Sequence, residues 1–145
     1  MESTDRQILT LLSRDGRMSY TDIGRETGLS TSAAQQRVRR LEQRGLITGY
    51  RAEISSDALG LLLTAFISLK ASDPAVDELI PDKLAQIPNV VSCYSVAGEA
   101  SHLCIVQVEN PGELEALLSQ LRVGVGVQTL TTLVLSVPFK DRPVL

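Results

Sequence analysis

Apolar residues in the first third of the chain fall into three short runs at helical spacing, each closed by glycine. In residues 3–17, STDRQILTLLSRDGR, Ile8, Leu9, Leu11 and Leu12 cluster into one buried face, and Gly16 marks the end. In residues 19–28, SYTDIGRETG, Ser19 with Asp22 three positions on forms a capping box with Asp in the acidic position, Ile23 turns inward, and Gly28 permits a sharp turn. In residues 29–45, Ser30 is the N-cap, Ala34, Val38 and Leu41 recur at i, i+4 and i+7, and Gly45 terminates the run. Two helices joined by a tight glycine turn make a helix-turn-helix. Gly24 then lets that pair approach closely.

The period changes at Leu46. In residues 46–54 Leu46, Thr48, Tyr50, Ala52 and Ile54 alternate with Ile47, Gly49, Arg51 and Glu53, which predicts a short strand and hence a winged or strand-tethered head. The polar step SSDALG, 55–60, reads as a hinge without helix, so the head is residues 1–54 and the second domain 61–145. The second domain reads strand (61–71), loop (73–79), helix from Pro81 to Ile87, two strands (89–98 and 101–110), helix (111–122) and strand (127–139). Asn110 and Pro111 open the second helix, and Leu114, Leu117, Leu118 and Leu121 repeat on one face of it. This βαββαβ order is the ferredoxin-like arrangement, and the fold class is α+β. Apolar residues occupy both parities of the strands, so the sheet face without helices is expected to be buried against a second copy, giving a homodimer.

With the stripe facing inward, the opposite face of the third helix carries Ser32, Ala33, Gln36, Arg40 and Gln43, flanked by Gln35, Arg37, Arg39 and Arg44. Small and amide-bearing residues come first and cations later. A DNA-reading helix needs that order: its first residues reach base edges, where Gln pairs bidentately with adenine and Ser bonds any base, and arginines further along meet phosphates. The expected DNA-binding residues are Ser30, Thr31, Ser32, Gln35, Gln36, Arg37, Arg39 and Arg40, and the expected partner is double-stranded DNA.

Charge sharpens this reading. Of 145 residues, 43% are apolar and 21% charged, a globular balance. Residues 1–54 carry nine arginines, no lysine and seven acids, a net +2, whereas residues 55–145 carry five basic and ten acidic residues, a net −5. Arginine supplies the planar donor fork that fits phosphates and guanine edges. The longest apolar stretch, LGLLLTAFI, has nine residues, too few to span a membrane, and no secretion signal precedes it. Cys93 and Cys104 read as small core hydrophobes in a reducing cytoplasm. One histidine, His102, with no metal-spaced ligands and no phosphate loop, leaves nothing to carry catalysis. No cofactor and no metal are expected, and the protein is read as a non-enzyme. The rival to a DNA-binding regulator is a metabolite-sensing or protein-scaffolding module whose head binds protein.

The motifs DRQIL (5–9), DGR (15–17), GLS (28–30), RVRRLEQRGLITGYRAEI (37–54), LG (59–60) and VAGE (96–99) give the chain a resemblance to the feast/famine, or Lrp/AsnC, transcription regulators along essentially its whole length. The resemblance implies a DNA-binding head and a βαββαβ domain that dimerises through its sheet, with dimers assembling further, often to octamers. It also implies that a small effector, usually an amino acid, binds between dimers at the turn joining the second and third strands of the C-terminal domain, here Gly98, Glu99, Ala100 and Ser101. That turn usually reads Gly-x-x-Asp in the family. This sequence has Ser101 in the acidic position, and Glu99 is either its replacement or a solvated turn residue.

Overall fold

The three apolar stripes of the N-terminal region meet. In the computed structural model, which describes all 145 residues, α1 (Ser3–Arg14), α2 (Tyr20–Thr27) and α3 (Thr31–Gln43) bury Ile8, Ile23, Ala34, Val38 and Leu41 against one another. Each large aliphatic side chain in such a cluster contributes about 1.5–3 kcal/mol. Ser19 and Ser30 cap α2 and α3, their hydroxyls accepting from the amides of Asp22 and Ala33, both at 3.1 Å. Gly28 is left-handed, with φ 75°. A Cβ on Gly24 would lie 2.5 Å from the carbonyl oxygen of Leu29, so the close approach needing glycine is to the turn between α2 and α3.

The chain divides into two compact units, Met1–Glu53 with Phe139–Leu145, and Ile54–Pro138. In the second, β1 (Leu63–Ala71), β2 (Val90–Ser95), β3 (His102–Val108) and β4 (Val127–Leu133) form one antiparallel sheet in the order β2-β3-β1-β4. Helices α4 (Pro74–Asp77), α5 (Ile80–Ala85) and α6 (Pro111–Ser119) complete the unit. Ala65, Ile67 and Leu69 of β1 and Cys104, Val106 and Val108 of β3 share a buried face with Ile80, Leu84, Leu114 and Leu117. The opposite face is apolar too. Phe66 lies opposite Ile105, and Ser68 lies between Leu103 and Leu130; Phe66, Tyr94 and Leu130 are exposed.

Four local expectations are corrected. Residues 46–54, read as a strand, join no ladder, because the chain supplies them no neighbouring strand; the tether is not a wing within one chain. Residues 57–59 form a 3₁₀ turn closed by left-handed Gly60. Residues 74–77, read as loop, form the short helix α4, because Asp73 caps it through the amide of Ala75 at 2.9 Å and Pro74 takes its first turn. Cys93 is exposed on edge strand β2, while only its cross-strand partner Cys104 is buried. Helix α6 also continues through a π-helical turn, Gln120–Val125, that buries Leu121 and Val125.

Candidate functional site

The exposed face of α3 is built by its inward stripe. Fixing Ala34, Val38 and Leu41 in the core leaves Ser32, Gln36, Arg39 and Arg40 pointing to solvent, and none of the last three forms a hydrogen bond or ion pair within the chain. Ser32, Gln36 and Arg40 follow one line at i, i+4 and i+8. Thr31 sits at the helix start with its hydroxyl 3.3 Å from that of Thr21, Ser30 is occupied as the cap, and Gln35 is half-buried.

Arg37 stands apart from this face. Its Nη1 donates to Glu2 Oε2 at 2.6 Å and to Asp5 Oδ1 at 3.1 Å, and the Asp5 side chain is buried. The hydrogen bond to Glu2, then that to Asp5, raises the guanidinium pKa above its ordinary value. Two carboxylates from the start of α1 thus neutralise Arg37 and tie α1 to α3. Arg37, expected among the DNA-binding residues, is thus engaged inside the head.

A second candidate site is a cleft of about 480 Å³ in the Ile54–Pro138 unit, lined by the end of β1 (Lys70, Ala71), by Ser72, Pro74 and Asp77, and by residues 96–101. The four expected effector residues Gly98, Glu99, Ala100 and Ser101 all line it. The amides of Ala97, Gly98, Glu99 and Ala100 have no acceptor within the chain, and Glu99 is exposed without a partner. Nothing lies within 4 Å of a Cβ built on Gly98. Ser101 is committed instead. Its amide donates to Leu69 O at 3.1 Å, its carbonyl accepts from Val96 at 2.9 Å, and its hydroxyl lies 3.1 Å from His102 Nδ1 and 3.4 Å from Leu69 O. Ser101, expected among the effector-binding residues, thus lines the cleft with its polar groups engaged to β1, Val96 and His102.

Comparison with known proteins follows this division of the chain. Residues 1–42 match the AsnC-type helix-turn-helix domain, and residues 64–145 match the Lrp/AsnC ligand binding domain. The chain belongs to the Lrp/AsnC family of transcription regulators. It is 41% identical to the HTH-type transcriptional regulator LrpA of Mycobacterium tuberculosis over 98% of this chain and 95% of the relative. It also superposes on the feast or famine regulatory protein of M. tuberculosis complexed with L-methionine, with a TM-score of 0.93 and 41% identity, covering 98% of this chain and 97% of that one. A Neisseria meningitidis transcriptional regulator in complex with L-methionine gives a TM-score of 0.91 at 26% identity, covering 97% of this chain and 93% of that one.

Within this Lrp/AsnC architecture, sequence reasoning missed Lys70 and Asp77 as cleft residues. Lys70 is the last but one residue of a strand and Asp77 ends a helix too short to show periodicity, so neither carries a local signal for a turn well beyond it in the chain. His102, taken as an isolated residue, proves buried behind the turn with Asp77 Oδ1 3.7 Å from its Nδ1. Burial pushes the Cys104 thiol up to about 11, which leaves it protonated and inert. No helix of the chain is long and apolar enough to cross a membrane.

Proposed function

We propose that this Lrp/AsnC protein is a cytoplasmic, non-enzymatic regulator that binds specific DNA sites through α3 and works as a dimer or a multiple of dimers. A head of residues 1–54 reads DNA, residues 55–60 act as the hinge, and residues 61–145 dimerise and hold a small effector. The observation that carries this reading is the exposed line of Ser32, Gln36 and Arg40, laid over a buried stripe, with the Gln36 and Arg40 side chains unpaired within the chain. Ser32 and Gln36 are suited to base edges, and Arg39, Arg40 and Arg44 to phosphates. Dimerisation through the bare sheet face is supported by its exposed Phe66, Tyr94 and Leu130.

The effector is proposed to be an amino acid in the cleft at residues 96–101, which the L-methionine complexes of two relatives support. Unpaired amides in the turn are suitable donors for its carboxylate. The ligand changes DNA binding only by preferring one arrangement of the assembly over another. Fluorescence polarisation of the full chain on its own upstream DNA, against shuffled DNA of equal length, tests the central claim. A clear preference for the natural sequence at moderate salt is expected. Equal binding to both sequences at every moderate salt concentration would instead support a scaffolding head.

A further inference from the structure

Resting on the reading of the cleft as an amino-acid site, we propose that the ligand's ammonium group is received by Asp77 of α4, and that His102 is the positioning residue that holds this carboxylate. An ammonium group brought out of water needs an anionic acceptor. The turn offers only two acidic or polar side chains for that task. Ser101 is neutral and its amide, carbonyl and hydroxyl already engage β1, Val96 and His102. Glu99 is exposed, and no hydrogen bond or ion pair fixes it, so binding would have to immobilise a flexible side chain.

Asp77 differs on both counts. It lines the same cleft, and its side chain is 39% exposed, open enough to meet a ligand. Its Oδ1 lies 3.7 Å from Nδ1 of His102, whose side chain is 6% exposed. That separation is beyond a hydrogen bond and within the range of a charge–dipole contact. The imidazole is buried on β3 with its Nδ1 3.1 Å from Ser101 Oγ, so it forms a fixed wall beside one carboxylate oxygen. A carboxylate has about four acceptor positions, so contact with His102 leaves others for the cleft. Lys70 lines the same cleft with the opposite charge, so its walls present both signs that a zwitterion needs.

The test is calorimetric titration of the full chain with each of the twenty proteinogenic amino acids. The tightest binder and its desamino analogue are then titrated into the wild type and into D77N, E99Q and H102Q. The wild type should prefer the amino acid over the desamino analogue. D77N should weaken amino-acid binding by about tenfold or more, the scale of one charge-assisted hydrogen bond, and should lose most of that preference. E99Q should change neither by more than about twofold. H102Q should weaken binding and reduce the preference, whereas a merely structural histidine would weaken both ligands equally. Binding of none of the twenty amino acids by the wild type would overturn the effector reading and this proposal with it. Wild-type binding with D77N keeping full affinity and preference, or with E99Q losing them, would overturn the role of Asp77 alone. D77E, which restores the charge, should recover part of the preference; failure to do so in a protein that still melts like wild type would point to helix geometry and not charge as the determinant.

Discussion

The head and the sheet unit leave opposite kinds of surface unsatisfied. In the head, the five-residue core is closed on all sides, the guanidinium of Arg37 is matched by Glu2 and Asp5, and what remains on α3 is polar and cationic without partners. In the sheet unit, apart from the open amides of the turn at residues 97–100, what remains is an apolar face bearing Phe66, Tyr94 and Leu130. A free cation on a well-packed helix calls for a polyanion, and a bare apolar sheet calls for another apolar surface. On the proposed function the two units would address different partners by different forces, and those forces respond differently to solution conditions.

Salt is the sharpest way to separate them. With Arg39, Arg40 and Arg44 available per head, the proposed dimer would neutralise about six phosphates, and log K for DNA should fall with log salt at a slope near −5. Between about 50 and 200 mM salt this is roughly a thousandfold loss in DNA affinity. Self-association through the sheet should hardly change over the same range, because apolar burial is not screened. A polarisation series at four salt concentrations, with light scattering on the same samples, reads both quantities. A DNA slope shallower than about −2 would mean that the arginines of α3 are solvated surface. The acidic pI of about 5.1 does not alter this expectation, since DNA senses charges within a Debye length of about 8–10 Å.

The complementary break is L130E. Leu130 is 71% exposed on the bare sheet face, so the substitution costs the single chain little. Burying its charge in an interface should weaken dimerisation by about thirtyfold or more, the scale of an interface hot spot. Sedimentation or light scattering as a function of concentration measures it. An unchanged dimer would move the interface elsewhere.

The same contrast explains what was legible in the sequence. Caps and stripes are local, so Ser19, Ser30 and Asn110 and the repeats at Val38 and Leu117 mark α2, α3 and α6 unaided. The alternation of β3, buried at every second residue from His102 to Val108, is equally local. Other features depend on distant residues. Residues 48–54 alternate like a strand, yet a strand exists only where another backbone accepts its hydrogen bonds. The pairing of Arg37 with residues 32 and 35 positions away is invisible to a helical wheel, which places it beside the reading face. For α4 the signal was present in Asp73-Pro74, but four residues are too few for periodicity to support it.

Three substitutions on one helix sharpen the division within the head. R40A should weaken binding to all DNA sequences alike and reduce the salt slope by about one per head. Q36A should leave overall affinity largely intact and relax discrimination at one base position by roughly 1–3 kcal/mol. R37A should instead act on the fold, because it leaves the buried Asp5 carboxylate without its cation. Binding-site selection together with thermal melts distinguishes the three. A melting temperature for R37A equal to wild type, with DNA binding lost, would return Arg37 to the reading face.

The smallest effect concerns the segment that leaves α3. Tyr50 donates its hydroxyl to Glu42 Oε1 at 2.9 Å, tying the extended tether back to the helix. Burial, reinforced by the hydrogen bond to Glu42 and its negative charge, pushes the phenol up to about 12. A phenol whose pKa is higher folded than unfolded stabilises the fold fully below its unfolded pKa of about 10, and that contribution fades as pH rises through about 12. Since Tyr50 is 51% exposed, solvent screening holds the gain to a fraction of a typical hydrogen bond, below about 1 kcal/mol. Y50F should therefore lower stability slightly at neutral pH and remove the highest-pH step from the ultraviolet titration of the three tyrosines. Its stability should meet that of the wild type as pH approaches 12, because the wild type has by then lost the contact. A wild-type titration in which no phenol ionises above the usual tyrosine range of about 10 would show that the tether is not held to α3 in solution.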